Sequence, residues 1–159
     1  MEQLGIESAD LVCYSEIMAE TLTMMHWYDE MDANDVEFVL APPRPGLSDY
    51  KPKGISNVLG DHVMWLLDFD CCNKISLDET GLNKAVVAFF RNDPFYPRPS
   101  SSPVLWKAFR DKYLQTSSTI LRSRQFQSDD RCLALPDNFI ENIETEQPQK
   151  VMERFFSSQ

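Results

Sequence analysis

Acidic side chains gather at the ends of two short apolar runs, and these residues could do chemistry. Asp68 and Asp70 end the run "VMWLLDFD", while Asp32 precedes the run "VEFVL" and Glu37 lies inside it. Carboxylate oxygens are ligands that magnesium prefers, and a positioned aspartate can accept a proton from a substrate hydroxyl. Acids in such places also serve as helix caps or as a solvated loop. The two groups therefore predict a metal site, a partner-binding surface or a plain acidic loop.

The order of these acids resembles the catalytic lobe of kinase-like phosphotransferases. In that lobe an aspartate on a loop accepts the substrate proton, and another at a strand end holds magnesium. The resemblance makes Asp32 the candidate catalytic residue. Glu37, Asp68 and Asp70 become candidate metal ligands, with Glu37 standing where protein kinases have an asparagine. Magnesium is the cofactor that such oxygen ligands would take.

Several departures from the kinase pattern favour a noncatalytic domain. The residue two positions before Asp32 is Glu30 and not histidine, Asp70 replaces a glycine, and the segment from Glu37 to Asp68 is long. The residues before the first helix are too few for a glycine-rich loop and a strand lysine that hold a nucleotide. We expect a noncatalytic binding or regulatory domain. A phosphotransferase that is truncated or completed by a partner, and a non-functional truncated paralogue, stay open as alternatives.

Composition and charge narrow the class of partner. The 159 residues are 43% apolar, which suits a single domain, expected over 1–147 with a tail at 148–159. The first 80 residues carry 16 acidic and 4 basic side chains, and the net charge of the chain is −10. Such an acidic half repels nucleic acid, so we expect a protein partner. No run suits a signal peptide or a membrane span, which predicts a protein of the cytoplasm or nucleus without a membrane partner. The oligomeric state stays open.

The cysteines and histidines do not have the spacing of a zinc site. The four cysteines are Cys13, Cys71, Cys72 and Cys132, and the two histidines are His26 and His62. Two of the cysteines are adjacent, whereas structural zinc sites space their ligands by two or more residues. We therefore expect no zinc and predict reduced, mostly buried thiols. His62 is expected at the exposed entrance of a strand.

Hydrophobic periodicity predicts a mainly helical α+β fold. The first helix should begin after Ser8 as N-cap and bury one apolar face. That face consists of Leu11, Tyr14, Met18, Leu22 and Met25. Apolar runs at 36–40 and 62–67 predict a two-stranded hairpin, separated by a proline-rich loop over 42–57. Taken with the kinase resemblance, the expected fold is a kinase-like C-terminal lobe with a small hairpin.

Three further helices are predicted after the second strand. Pro94 should stop the first of these, and Ser102 with Pro103 should open the next. "LPDNFIENIE" should form a short last helix. The residues expected to face inward are Leu82, Ala85, Val86, Phe89 and Phe90, then Leu105, Phe109, Tyr113 and Ile120, then Phe139, Ile140 and Ile143. "NDPFYPRP" between the helices should be an ordered connector whose Phe95 and Tyr96 are partly buried, because its prolines restrict the backbone.

Several segments together resemble a fungal family whose members carry a C-terminal domain of unknown function and are often labelled zinc-finger proteins. The matching strings are "DVEFVL", "DFD" and "NDPFYPRP", and the resemblance spans about residues 14–145. Phe95 stands where the family pattern has tyrosine. This resemblance implies the domain type and no settled activity. Longer members have additional sequence before the first helix, so the chain resembles a truncated paralogue or a shortened gene model.

Overall fold

The computed structural model describes residues 5–44, 54–92, 96–123 and 130–145, and over these residues the fold is α+β and mainly helical. The helices are α1 (Ser8–Thr23), α2 (Glu79–Arg91), α3 (Pro103–Ser123) and α4 (Asp130–Thr145), and the strands are β1 (Glu37–Ala41), β2 (Ile55–Asn57) and β3 (Gly60–Leu67). A π-helical turn, Met24–Tyr28, continues α1. Among the described helices, none is long and apolar enough to cross a membrane.

Helix α1 confirms the predicted apolar face but not the predicted cap. Tyr14, Met18, Leu22 and Met25 are buried, and Leu11 is half-buried. The N-cap position belongs to Glu7, whose backbone is extended and whose side chain makes no capping hydrogen bond. The prediction of Ser8 as N-cap is therefore wrong. The chain stays extended through Glu7, where its buried neighbour Ile6 packs in a small cluster with Tyr14 and Ile55.

The sheet confirms the predicted pairing and adds a strand. β1 pairs with β3 in antiparallel register from Glu37 opposite Leu67 to Ala41 opposite Val63. The unpredicted strand β2 pairs with the other edge of β3, so the strand order is β1-β3-β2. β2 has three residues and lies in the segment predicted as loop. A run this short has no periodicity of its own, so tertiary pairing decides its structure.

His62 is buried, which corrects the prediction of an exposed strand entrance. Its side chain is 4% exposed because β2 pairs beside it and Tyr14 of α1 lies across it. The Tyr14 hydroxyl lies 2.7 Å from Nε2 of His62, and Nδ1 lies 2.8 Å from the carbonyl oxygen of Gly60. The imidazole therefore joins α1 to the sheet.

The main core lies between the helices and is rich in aromatic rings. Its largest fully buried side chains include Trp27, Tyr113, Phe89, Phe109 and Phe139. All the predicted inward residues of α2, α3 and α4 are buried except Leu105 and Phe90, which are half-buried. Helix α3 begins at Pro103 as predicted, whereas α4 begins at Asp130, before the predicted stretch, and contains Pro136. Pro94, Phe95 and the predicted tail lie outside the described residues.

Candidate functional site

The acidic loop, residues 29–36, connects the π-helical turn to β1. Hydrogen bonds of Asp32 hold this loop in place. The Asp32 residue is 6% exposed, and its Oδ1 accepts hydrogen bonds from the backbone N–H of Asn34 (3.1 Å) and of Asn73 (2.8 Å). Its Oδ2 accepts a hydrogen bond from the Asn73 side-chain amide at 3.3 Å. The backbone N–H of Asp32 in turn donates to the Asn73 carbonyl oxygen at 2.9 Å. Asp32 thus joins the acidic loop to the segment that follows β3.

Side chains at and beyond the end of α2 hold the other half of the acidic loop. Oδ1 of Asn92 accepts a hydrogen bond from the N–H of Asp35 (2.7 Å), and its Nδ2 donates to the carbonyl oxygen of Ala33 (2.8 Å). The hydroxyl of Tyr96 donates to the carbonyl oxygen of Val36 at 2.9 Å. Because Asn92 and Tyr96 are both buried, water does not compete for these bonds.

His26 lies in the π-helical turn and is hydrogen-bonded to the acidic loop. Its Nδ1 lies 2.8 Å from the hydroxyl of Tyr113, and a hydrogen bond joins its ring to the backbone of Asp32. Burial lowers the pKa of His26 to about 3, an effect that the hydrogen bond to Asp32 opposes. Burial also raises the pKa of Tyr113. The imidazole is therefore neutral near pH 7 and acts as a structural group.

Left-handed backbone conformations concentrate around the acidic loop. Glu30 (φ 57°), Ala33 (φ 54°), Asp35 (φ 65°) and Asp68 (φ 60°) all have positive φ without being glycine. Such conformations cost about 1 to 3 kcal/mol each and persist where the surroundings hold them. The hydrogen bonds of Asp32, Asn92 and Tyr96 supply that support. The loop is thus held in one shape.

The sheet brings two of the predicted metal ligands to one end. Glu37 opens β1 opposite Leu67, and Asp68 follows Leu67 directly, while Asp70 lies in the next turn. Glu37, Asp68 and Asp70 are exposed, whereas the carboxylate of Asp32 is occupied by the amides described above. In the described ranges, no three His, Cys, Asp or Glu side chains form a group that could hold a metal ion. The assignments of these four residues stay predictions.

The adjacent cysteines lie in the acidic turn after β3 and have weakly acidic thiols. A hydrogen bond with Asp35, helped by slight desolvation and by nearby carboxylates, raises the pKa of Cys71. Burial, followed by the charge of Asp32, raises the pKa of Cys72 to about 11. Both effects oppose the thiolate form that nucleophilic catalysis needs. All four cysteines are free, as predicted; Cys132 is buried, Cys13 and Cys72 are half-buried, and Cys71 is exposed, so the prediction of mostly buried thiols holds only in part.

A polar pocket between the acidic loop and α2 was not predicted from sequence. Its volume is about 190 Å³, and its lining residues are Asp32, Asn34, Asn73, Lys84, Val87, Ala88 and Arg91. The residues from α2 follow helical spacing, with Lys84 and Arg91 seven positions apart on one face. That spacing was visible in the sequence. The opposing asparagines were not, because only tertiary folding brings them to this face.

The outer face of the β1–β3 pair is a second feature that sequence analysis missed. Val39 lies opposite Trp65, and Leu67 lies opposite Glu37 in the register. Val39, Leu67 and the following Phe69 are 36%, 45% and 54% exposed, and Trp65 is half-buried. The alternate residues, Phe38, Met64 and Leu66, pack on the main core. The strand runs are apolar at consecutive positions, a signal that both faces of the sheet are apolar.

Comparison with known families agrees with the predicted resemblance at the level of domain type. A family model for a domain of unknown function, DUF3669, with the description "Zinc finger protein", matches residues 64–125. These residues include most of β3, the turn with Asp68 and Asp70, and helices α2 and α3. No curated protein and no solved structure matches the chain significantly. The chain is therefore similar, over this segment, to a domain of unknown function that carries a zinc-finger label.

Proposed function

We propose that this chain is a noncatalytic binding domain that recognises another protein through the outer face of its sheet and through the edge of β1 that pairs with no other strand in the described part of the chain. The observation that carries the proposal is the exposure of Val39 and Leu67 on the same sheet face as the half-buried Trp65, with the exposed Phe69 in the turn that follows Leu67. Contiguous exposed apolar side chains on a soluble domain commonly mark an interaction surface. We call these four residues the apolar sheet face.

The edge of the sheet supports a specific binding mode. β1 is an outer strand in the order β1-β3-β2, and its side chains Val39 and Leu40 are exposed. An edge strand presents backbone N–H and C=O groups to which an extended segment can pair as an additional strand. We infer that the partner supplies such a segment and places alternate apolar side chains on the apolar sheet face.

Charge indicates the composition of that segment. Asp35, Glu37, Asp68 and Asp70 are exposed and lie at the end of the sheet where β1 begins. At the other end, the guanidinium of Arg44 lies 5.8 Å from the ring of Trp65. Opposite charges steer a partner and set its orientation. The partner segment should therefore carry Lys or Arg beside the acidic end.

The phosphotransferase alternative and the kinase-like arrangement have weaker support. The candidate base Asp32 accepts three hydrogen bonds from the amides of Asn34 and Asn73. These bonds hold the acidic loop in place, which is a structural role. The candidate ligands Glu37 and Asp68 lie in solvent. The fungal origin of the family and the truncated-paralogue alternative likewise stay predictions.

Selection of extended peptides on the purified chain tests the proposal. We expect the selected peptides to alternate apolar residues with Lys or Arg. Val39→Lys and Leu67→Lys should each weaken binding of a selected peptide by about tenfold or more, because each places a charge on the apolar sheet face. Val104→Lys is the matched control, since Val104 is 67% exposed on α3. This control should bind as the wild type does.

Two results would contradict the proposal. One is selected peptides whose affinity is unchanged by both sheet substitutions. The other is magnesium-dependent ATP binding by the chain that is abolished by Asp68→Asn, which would promote the phosphotransferase alternative.

A further inference from the structure

We propose that the turn between β2 and β3 is a second protein-binding surface, which inserts two apolar side chains into a pocket of a folded partner protein. Val58 and Leu59 form this turn, and we call them the hairpin tip. They are 63% and 49% exposed, so burial in the fold does not explain their apolar character. The hairpin tip is separate from the apolar sheet face, and the inference does not rest on protein binding there.

The residues that flank the hairpin tip follow ordinary turn chemistry. Asn57 pairs with Gly60 in the register of β2 and β3, so the two tip residues alone reverse the chain. Asparagine is favoured at the first position of such a turn, and Gly60 has a left-handed backbone (φ 85°) that suits glycine at the last. Tight turns are dominated by glycine, proline and small polar residues. Turn geometry therefore explains Asn57 and Gly60 and leaves the two apolar side chains to another role.

Asn57 holds the hairpin tip in one position. Its Oδ1 accepts a hydrogen bond from the backbone N–H of Leu59 at 2.9 Å. Its Nδ2 donates to Oδ2 of Asp10 at 2.9 Å and to the hydroxyl of Tyr14 at 2.8 Å, and both of these residues belong to α1. Because the turn is already fastened to the first helix, presenting the hairpin tip to a partner has a small ordering cost.

Gly5 lies beside Val58 without covering it. A Cβ placed on Gly5 would lie 3.9 Å from Cγ2 of Val58, which is an ordinary contact distance. The backbone of Gly5 has a φ of 74°, a conformation that residues with a side chain rarely adopt. Gly5 therefore contributes no side chain over Val58, and the apolar surface of Val58 stays open to a partner.

Shape and charge indicate the kind of partner. Two side chains at the end of a narrow turn form a projection, which buries its apolar surface best in a concave pocket. The residues that form and flank the turn, 5–11 and 54–62, contain no Lys or Arg. Their acidic residues are Glu7, Asp10 and Asp61. Electrostatic complementarity predicts Lys or Arg around the partner's pocket, whereas the anionic headgroups of a membrane would be repelled.

Strand β3 separates the hairpin tip from the acidic end of the sheet. It runs from Gly60, which follows the tip, to Leu67 of the apolar sheet face. An eight-residue strand at about 3.3 Å per residue measures about 23 Å from its first to its last Cα atom. The two surfaces can therefore be occupied at the same time.

Photo-crosslinking from the hairpin tip identifies the partner. The full chain carries the photoreactive amino acid p-benzoylphenylalanine at position 58 or, as a control, at position 104 on α3, where Val104 is 67% exposed. Both forms are expressed in cells that make this chain, and mass spectrometry identifies the cross-linked proteins. We expect a protein that cross-links from position 58 and not from position 104. No product specific to position 58, or a second copy of this chain as that product, would overturn the proposal.

Titration of the chain with the purified cross-linked protein is the second arm of the test. Val58→Ser and Leu59→Ser should each weaken binding by about tenfold or more, because each removes an apolar side chain from the partner's pocket. Asp61→Lys should slow association, because it adds a cation opposite a basic rim. Val104→Ser is the matched control and should bind within about twofold of the wild type. The tip variants should keep the melting temperature of the wild type, because both side chains are exposed.

Three results of this arm would each overturn the proposal. The first is an affinity that neither tip variant changes. The second is a loss of affinity in Leu67→Lys as large as the loss in the tip variants, which would place the partner on the apolar sheet face. The third is sedimentation of the chain with phosphatidylcholine–phosphatidylserine vesicles that both tip variants abolish, which would make the hairpin tip a lipid anchor.

Discussion

At the scale of single residues, the hydrogen bonds of Asp32 give it a structural role in the acidic loop. Asp32 accepts bonds from Asn34 and Asn73 in a position that is almost fully buried. Its carboxylate closes the acidic loop against the segment after β3, and this explains how the left-handed residues Glu30 and Ala33 are kept in place.

Replacing Asp32 with alanine should destabilise the fold by about 2 to 4 kcal/mol, because it leaves the N–H groups of Asn34 and Asn73 without their charged acceptor. Urea unfolding measures this free energy. Asp70→Ala, an exposed acid in the neighbouring turn, is the control and should change stability by less than about 0.5 kcal/mol. Equal stability of Asp32→Ala and the wild type would show that the loop does not depend on this clamp.

At the scale of elements, the segment after α2 joins the helices to the start of β1. Tyr96 is 3% exposed, contacts the rings of Phe38 and Phe89, and donates its hydroxyl hydrogen to Val36. The guanidinium of Arg98 lies 4.2 Å from the centre of the Phe89 ring and donates to the Phe89 carbonyl oxygen at 2.7 Å. The expected burial of Tyr96 is confirmed. The expectation for Phe95 lies outside the described residues.

Two substitutions at Tyr96 separate the contributions of ring and hydroxyl. Tyr96→Ala should lower the free energy of unfolding by about 3 to 4 kcal/mol, because it leaves a cavity between β1 and α2. Tyr96→Phe keeps the ring and loses the bond to Val36, so we expect a loss of about 1 kcal/mol. Thermal and chemical unfolding check both values. Equal losses in the two variants would mean that the ring contributes little.

At the scale of the whole molecule, His26 connects the main core to the acidic loop. Its ring lies 5.1 Å from the centre of the Phe139 ring of α4, and it contacts Tyr113 of α3 and the backbone of Asp32. Protonating such a fully buried ring places a charge in the core, away from water. The charge state of one side chain should therefore affect the stability of the whole fold.

The stability of the chain should fall as the pH drops from about 6.5 towards about 3. The pKa of His26 is about 3 in the folded state and near 6.5 in the unfolded chain, so between these values the unfolded state binds more protons. The free energy of unfolding consequently rises with pH across this window, by at most about 1.4 kcal/mol per pH unit from this group. Above the window the contribution is complete.

Urea unfolding at several pH values measures the slope, and His26→Gln provides the comparison. Glutamine does not titrate, so the stability of this variant should depend less on pH between 4 and 6.5. Glutamine can still bond to Tyr113. The variant should nevertheless be less stable at pH 7, because burying its amide costs free energy. An identical pH slope in the variant and the wild type would assign the dependence to other groups.

Local pattern in the sequence determined the helices, their buried faces and the pairing of β1 with β3. Helical faces repeat every three or four residues, and the predicted buried positions Tyr14, Phe109 and Phe139 obey this spacing. Both long strands are apolar runs of ordinary strand length. Such features depend on neighbours along the chain, so they were predicted without knowledge of distant contacts.

Tertiary structure alone decided the third strand, the burial of His62 and the hydrogen bonds of Asp32. β2 has three residues and exists because β3 offers it a pairing edge, and His62 is buried because Tyr14 lies 48 positions away in sequence yet beside it in space. The polar pocket likewise joins Asn34, Asn73 and α2, which no local pattern connects. The physical reason is that hydrogen bonding and burial depend on which groups meet in space. Periodicity in the chain determines only which face of each element is apolar and will be buried.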